Sequence, residues 1–172
     1  MKVVHRKLKI EFTRPSKGFA PLSRAIRFIE GTPYSHVRLK WETGQGDDIV
    51  YEASGISIKF LGEKAQKARP VDVICSYSID LSKDEYKALL YLCLSNAGLD
   101  YGFGQLIGIL LHKLFSTNVN ILSKGSNAQV CSEVVGRFLQ DVIGIGREMD
   151  LDLVGPKDIQ YMLEKHSTNK TI

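Results

Sequence analysis

The sequence predicts an α+β domain, with strands in its first half and helices in its second. Three observations carry that expectation. Segments up to residue 74 alternate polar and apolar residues, the period of half-buried strands. At Ser82 the period changes to helical spacing, which recurs to the end of the chain. Strands grouped together and then helices grouped together fit segregated layers better than a strand-helix-strand repeat. The 172 residues suit one domain over 1–172, and 44 % hydrophobic residues can supply its core.

Taken in order, KLKIEF at 7–12 alternates as a strand. A loop with Pro15, Gly18 and Pro21 follows. Leu22 to Ile29 then places Leu22, Ile26 and Ile29 on one side of a short helix, which Gly31, Thr32 and Pro33 end. From His36 to Trp41, Val37, Leu39 and Trp41 point one way, and His36, Arg38 and Lys40 the other. The turn-rich TGQGDD leads to a second alternating run, Ile49 to Ala53, so the two runs form a hairpin. Further strands are expected at Ile56 to Phe60 and Val71 to Ile74, joined by a charged loop.

Ser82 and Glu85 then have capping-box spacing. Behind them, Tyr86, Leu89, Leu90, Cys93 and Leu94 make an apolar helix stripe that Gly98 stops. A second helix is expected over Phe103 to Phe115, a polar segment over 116–128, and a third helix over Val130 to Leu139 with Val134, Val135, Phe138 and Leu139 inward. A short helix follows Pro156, and HSTNKTI reads as a frayed end.

Charge and cysteine usage narrow the function classes. The net charge of +4 comes from scattered residues, with no basic run and no basic–aromatic interleaving, so no nucleic-acid partner is expected. Three cysteines with no CxxC spacing argue against a disulfide framework and a structural zinc site. The start, MKVVHRKLKIEF, lacks the apolar stretch of a secretory signal. The longest apolar run, Leu106 to Leu111, is far short of the roughly 20 residues that span a bilayer. A cytoplasmic protein without stable membrane insertion is expected. Its oligomeric state is not legible.

Three residues carry candidate chemistry. Cys131 lies at the expected start of a helix, where unpaired N–H groups and a partial positive charge favour a thiolate and can hold an oxyanion. Most such cysteines are simply buried small hydrophobes, as mid-helix Cys93 is expected to be. His36 opens a strand on the face away from Val37, Leu39 and Trp41, so it is not placed as a core histidine. Glu52 stands 16 residues later on the other arm of the hairpin. A register centred on Gly44 puts Glu52 directly beside His36, and a slip by two makes it a diagonal neighbour; either lets a carboxylate orient the imidazole. The same three side chains are conceivable zinc ligands by type.

In this order the pieces resemble the permuted branch of the NlpC-type papain-like superfamily, which includes YiiX-like hydrolases and lecithin–retinol acyltransferases. The matching segments are Tyr34-Ser35-His36-Val37, Val50-Tyr51-Glu52-Ala53, Leu99-Asp100-Tyr101-Gly102-Phe103, Cys131-Ser132-Glu133-Val134-Val135 and Gly155-Pro156-Lys157-Asp158-Ile159. They span 34–159, with the histidine strand ahead of the cysteine helix. One departure is Val130, where relatives often carry an aromatic residue.

The resemblance implies an antiparallel sheet or small barrel packed against helices. It implies Cys131 as nucleophile, His36 as general base and Glu52 as orienting residue, with no cofactor and no metal. It points to a peptidase or amidase acting on short peptides of the bacterial cell-wall type. Delivery to a cell wall would then need another system. The alternatives are an acyl-lipid hydrolase or acyltransferase using Phe103 to Phe115 against lipid, and a catalytically silent binding module. Which of Tyr34 and Tyr101 lines the cleft is left open.

Overall fold

A computed structural model of the chain describes residues 6–17, 20–41, 48–116 and 128–169, the side chains of 167–169 excepted. The hairpin turn, most of the polar segment 116–128 and the last residues lie outside that set. The architecture is α+β. Strands β1 (Arg6–Pro15), β2 (His36–Trp41), β3 (Ile49–Ser54), β4 (Ser57–Leu61) and β5 (Val71–Leu81) form one antiparallel sheet in the order β4-β3-β2-β1-β5. Among the described residues no pairing joins β4 to β5, so the sheet is open rather than a closed barrel.

Register gives the sheet two unlike faces. Leu8, Ile10 and Phe12 of β1 stand opposite Trp41, Leu39 and Val37, and Leu39 stands opposite Tyr51. All seven side chains are buried on one face. Helices α3 (Lys83–Asn96), α5 (Cys131–Arg137) and α6 (Pro156–Asn169) cover that face, contributing Leu89, Val134, Val135, Ile159 and Met162 to the same core. The intervening residues carry Glu11, His36, Arg38, Lys40 and Glu52 to the other face.

Helix α1 (Pro21–Glu30) and helix α4 (Phe103–Phe115) form a smaller apolar cluster through Ile26, Leu106 and Ile109. Pro21 opens α1, and Gly31 closes it in the left-handed conformation. The Ser82–Glu85 capping box is present at the start of α3.

The structure departs from the sequence expectations in five places. Strand β5 extends to Leu81, because Cys75, Tyr77, Ile79 and Leu81 continue the alternation against β1; a bulge at Phe12/Thr13 absorbs one extra residue. The expected charged loop contains helix α2 (Glu63–Ala68), which buries no residue and carries a Glu63–Lys67 pair one turn apart. Leu94 is exposed rather than inward. The third helix starts at Cys131, and its axis continues as a π-helical turn, Phe138–Ile143, ended by left-handed Gly144; the four inward residues are buried as expected. Helix α6, 14 residues long, also runs further than a short terminal helix.

Helix α6 is anchored at its first turn. A Cβ on Gly155 would lie 1.8 Å from Glu30 Oε1, so the chain approaches α1 more closely than any side chain permits. Glu30 Oε2 accepts from the Lys157 N–H at 3.1 Å, and Lys113 of α4 bridges Glu30 at 3.1 Å and Asp158 at 2.5 Å. The Gly-Pro-Lys-Asp segment is thus a joint between three helices.

Candidate active site

The first residue of β2 meets the first residue of α5. His36 ends the β1–β2 ladder opposite Thr13, and the preceding residue is held by a Ser35 N–H to Thr13 carbonyl bond of 3.0 Å. Cys131 follows the extended residue Val130. The segment before it is fixed to 100–102 by bonds from Gln129 N–H to Asp100 O and from Gly102 N–H to Gln129 O, each 3.1 Å. The Cys131 side chain lies within hydrogen-bonding reach of the His36 imidazole.

Two neighbours of the cysteine secure the helix start. Ser132 Oγ donates to the Val154 carbonyl at 2.7 Å. Buried Glu133 accepts from Gln105 of α4 at 2.8 Å and from Arg137 at 2.7 Å. The N–H groups of the first turn have no carbonyl one turn earlier to bond; the ladder begins with Val134 N–H to Val130 O at 3.1 Å.

Glu52 takes the diagonal position. Leu39 faces Tyr51 and Lys40 faces Val50, and continuing that register sets Arg38 opposite Glu52. From there Glu52 Oε2 reaches His36 Nε2 at 3.2 Å, with Arg38 Nη1 3.9 Å away. Ser54, two residues on and therefore on the same face, donates to Glu52 Oε1 at 2.5 Å. Arg38 is itself held by Glu11, at 2.9 Å from Nε and 2.7 Å from Nη2.

These contacts set the charges. Burial works against an imidazolium at His36, but its contacts with Cys131 and with the Glu52 carboxylate outweigh it and raise the pKa from 6.5 to about 10. Burial also works against a charged Glu52, yet bonds from His36 and Ser54 and the nearby Arg38 lower its pKa from 4.5 to about 2. Across neutral pH the site therefore holds a carboxylate and an imidazolium in contact. The Tyr101 hydroxyl is pushed upward, first by burial and then by the influence of Cys131, so it stays neutral.

His36, Glu52, Ser54 and Tyr101 line a cavity of about 530 Å³ between the polar face of the sheet, α1, α4 and the α2 crossover. Its walls are largely apolar, through Leu22, Ile26, Leu61, Val71 and Phe103, while Arg14, Lys17 and Arg69 add positive charge. Cys131, 4 % exposed, is not among the lining side chains; it adjoins one that is, His36.

All three side chains singled out in the sequence are brought together. Sequence reasoning missed Arg38, Ser54 and Glu11 as their supports; the shared parity of 36, 38, 52 and 54 on a hairpin was the available signal. Tyr101, not Tyr34, lines the cavity. Tyr34 is buried against Phe12 and donates to Gln160. Among the described residues no group of three or more His, Cys, Asp or Glu side chains is arranged to hold a metal ion.

No family model matches the chain, and no curated protein matches it. Among solved structures it is similar to the crystal structure of a protein described as the metalloprotein YiiX from Escherichia coli O157:H7. The two share 19 % identity over 94 % of this chain and 80 % of that one, with a TM-score of 0.46. A likeness of that extent assigns no residue and no activity.

Proposed function

We propose that the protein is a cysteine hydrolase that opens an amide or ester carbonyl through an acyl-enzyme on Cys131. The observation that carries the reading is the meeting of Cys131 and His36 at the starts of α5 and β2, with Glu52 3.2 Å from the far ring nitrogen. With Nε2 committed to Glu52, proton exchange with the substrate falls to Nδ1. The order of a histidine strand before a cysteine helix, on an antiparallel sheet, supports a permuted papain-like arrangement.

The thiolate attacks the carbonyl carbon, forming the C–S bond and placing a negative charge on oxygen. N–H groups of the first turn of α5 and the neutral Tyr101 hydroxyl are the donors at hand for that oxyanion. Collapse breaks the C–N or C–O bond, and the leaving group takes the His36 proton. Neutral His36 then removes a proton from water as its oxygen attacks the thioester; the C–S bond breaks, the acid leaves and the thiolate returns. Glu52 keeps the ring oriented and stabilises its charged form.

The substrate read from the resemblance is a short peptide of the bacterial cell-wall type, and the cations Arg14, Lys17 and Arg69 suit its carboxylates. The apolar walls favour a second reading, an acyl-lipid ester, because Leu22, Ile26, Leu61 and Phe103 can take an alkyl chain. Intact-mass spectrometry after brief exposure to an activated acyl ester tests the shared step. One acyl group should appear on Cys131, disappear with water, and be absent in Cys131→Ala. His36→Ala should lower turnover by about 10²–10⁴-fold. Acylation elsewhere, or turnover that survives Cys131→Ala, contradicts the reading. Cleavage of wall-type peptides against cleavage of acyl-lipid esters then separates the two substrates.

A further inference from the structure

Helix α4 presents apolar side chains to the outside. At 100° per residue Phe103, Ile107, Leu111, Leu114 and Phe115 fall on one face, and all are exposed, from 44 % at Leu111 to 66 % at Phe115. The polar residues turn inward instead. Gln105 reaches Glu133, and Lys113 reaches Glu30 and Asp158. Single exposed apolar residues are ordinary, but a continuous stripe along a helix is a mark of an interaction surface.

Two observations identify its occupant. Phe103 belongs both to the stripe and to the wall of the cavity that holds His36, so the stripe runs into the cavity mouth. The same mouth carries Lys17 and Arg69, exposed and without an ion-pair partner among the described residues. An apolar stripe beside unneutralised cations complements a layer with acyl chains inside and negative headgroups outside. A second copy of the same face would bring the same two cations, Lys17 and Arg69, again. The 13 residues of α4 cover about 20 Å at 1.5 Å each, too short to span a bilayer and suited to lying along its surface.

We propose that this face of α4, with Lys17 and Arg69, docks the protein on an anionic lipid surface and opens the cavity towards it. The proposal rests on the hydrolase reading only for what the docked cavity then does. Docking itself makes no use of Cys131.

The test is co-sedimentation of the full chain with vesicles of phosphatidylcholine alone, or of phosphatidylcholine and phosphatidylglycerol in equal parts, at low and high salt. Wild type should bind the mixed vesicles, and less so in salt. The double variant Ile107→Glu with Leu111→Glu should weaken binding about tenfold or more, with unchanged far-ultraviolet circular dichroism. Should the double variant misfold, Leu114→Glu alone should weaken binding in the same direction. Lys17→Ala with Arg69→Ala should lower binding to the mixed vesicles only, and Cys131→Ala should bind as wild type does. Failure of wild type to sediment with the mixed vesicles at low salt overturns the proposal. So does equal binding by the glutamate variants, or a dimer that those variants dissociate while vesicles are ignored. Vesicle binding without acylation of Cys131 would leave docking standing and remove the hydrolase reading.

Discussion

At the scale of the residue, the site is a chain of paired side chains that ends at the buried Cys131. Glu11 holds Arg38, Arg38 lies beside Glu52, Glu52 holds His36, and His36 meets Cys131. The two shifted groups predict how stability depends on pH. His36 has its folded pKa raised to about 10, so its contribution is full below about 6.5 and is lost as pH rises through 10. Glu52 has its folded pKa lowered to about 2, so its contribution is full above about 4.5 and is lost as pH falls through 2. Chemical denaturation across pH should show Glu52→Gln less stable than wild type at pH 6, with the gap closing towards pH 2. A gap that stays constant in acid would mean the carboxylate is not held by His36 and Ser54. The three principal residues were legible because helix starts and strand parity are sequence properties. Their partners were not, since which of two allowed registers a hairpin takes depends on the turn and on packing across the sheet.

At the scale of the element, the segment Gly155 to Ile159 shows how one turn fixes several helices. Glu30, Lys113 and Asp158 are gathered around Gly155 N–H and Lys157 N–H, tying α1, α4 and α6 together. Gly155→Ala should destabilise the protein by about 1–3 kcal/mol, because the new methyl group must displace the Glu30 carboxylate from that network. Denaturant titration measures it, and an unchanged midpoint would show that the joint is looser than described. Strand and helix types were mostly legible from period. The serines and aspartate of β5 hid its second half, although they alternate with Cys75, Tyr77 and Ile79. Helix α2 had no apolar stripe to announce it, being held at its flanks by Gln66 bonds to the Asp48 and Leu61 carbonyls.

At the scale of the whole molecule, the two faces of one sheet divide the labour. One face carries the main core under α3, α5 and α6; the other carries the polar network and the cavity, crossed by the β4-to-β5 connection. The sequence revealed the alternation that makes two faces, but an alternating strand does not say what covers its polar side. A helix as apolar as α4 would ordinarily be buried all round, yet α4 shares only a small cluster with α1 and leaves a face outside. Hydrogen exchange should therefore be slowest for Ile10 and Leu39, central in β1 and β2, and faster in α4, whose opening exposes less buried surface. Equal protection in both would contradict that division.

The central claim is that Cys131 and His36 act as one activated pair. The most direct measurement is the rate of Cys131 alkylation by a small thiol reagent from pH 5 to 9, read by peptide mass spectrometry, in wild type and His36→Ala. The account predicts fast labelling at Cys131 that persists below pH 7 and is lost or shifted to higher pH in His36→Ala. Slow labelling that rises with pH as an ordinary thiol does, unchanged by His36→Ala, would contradict it.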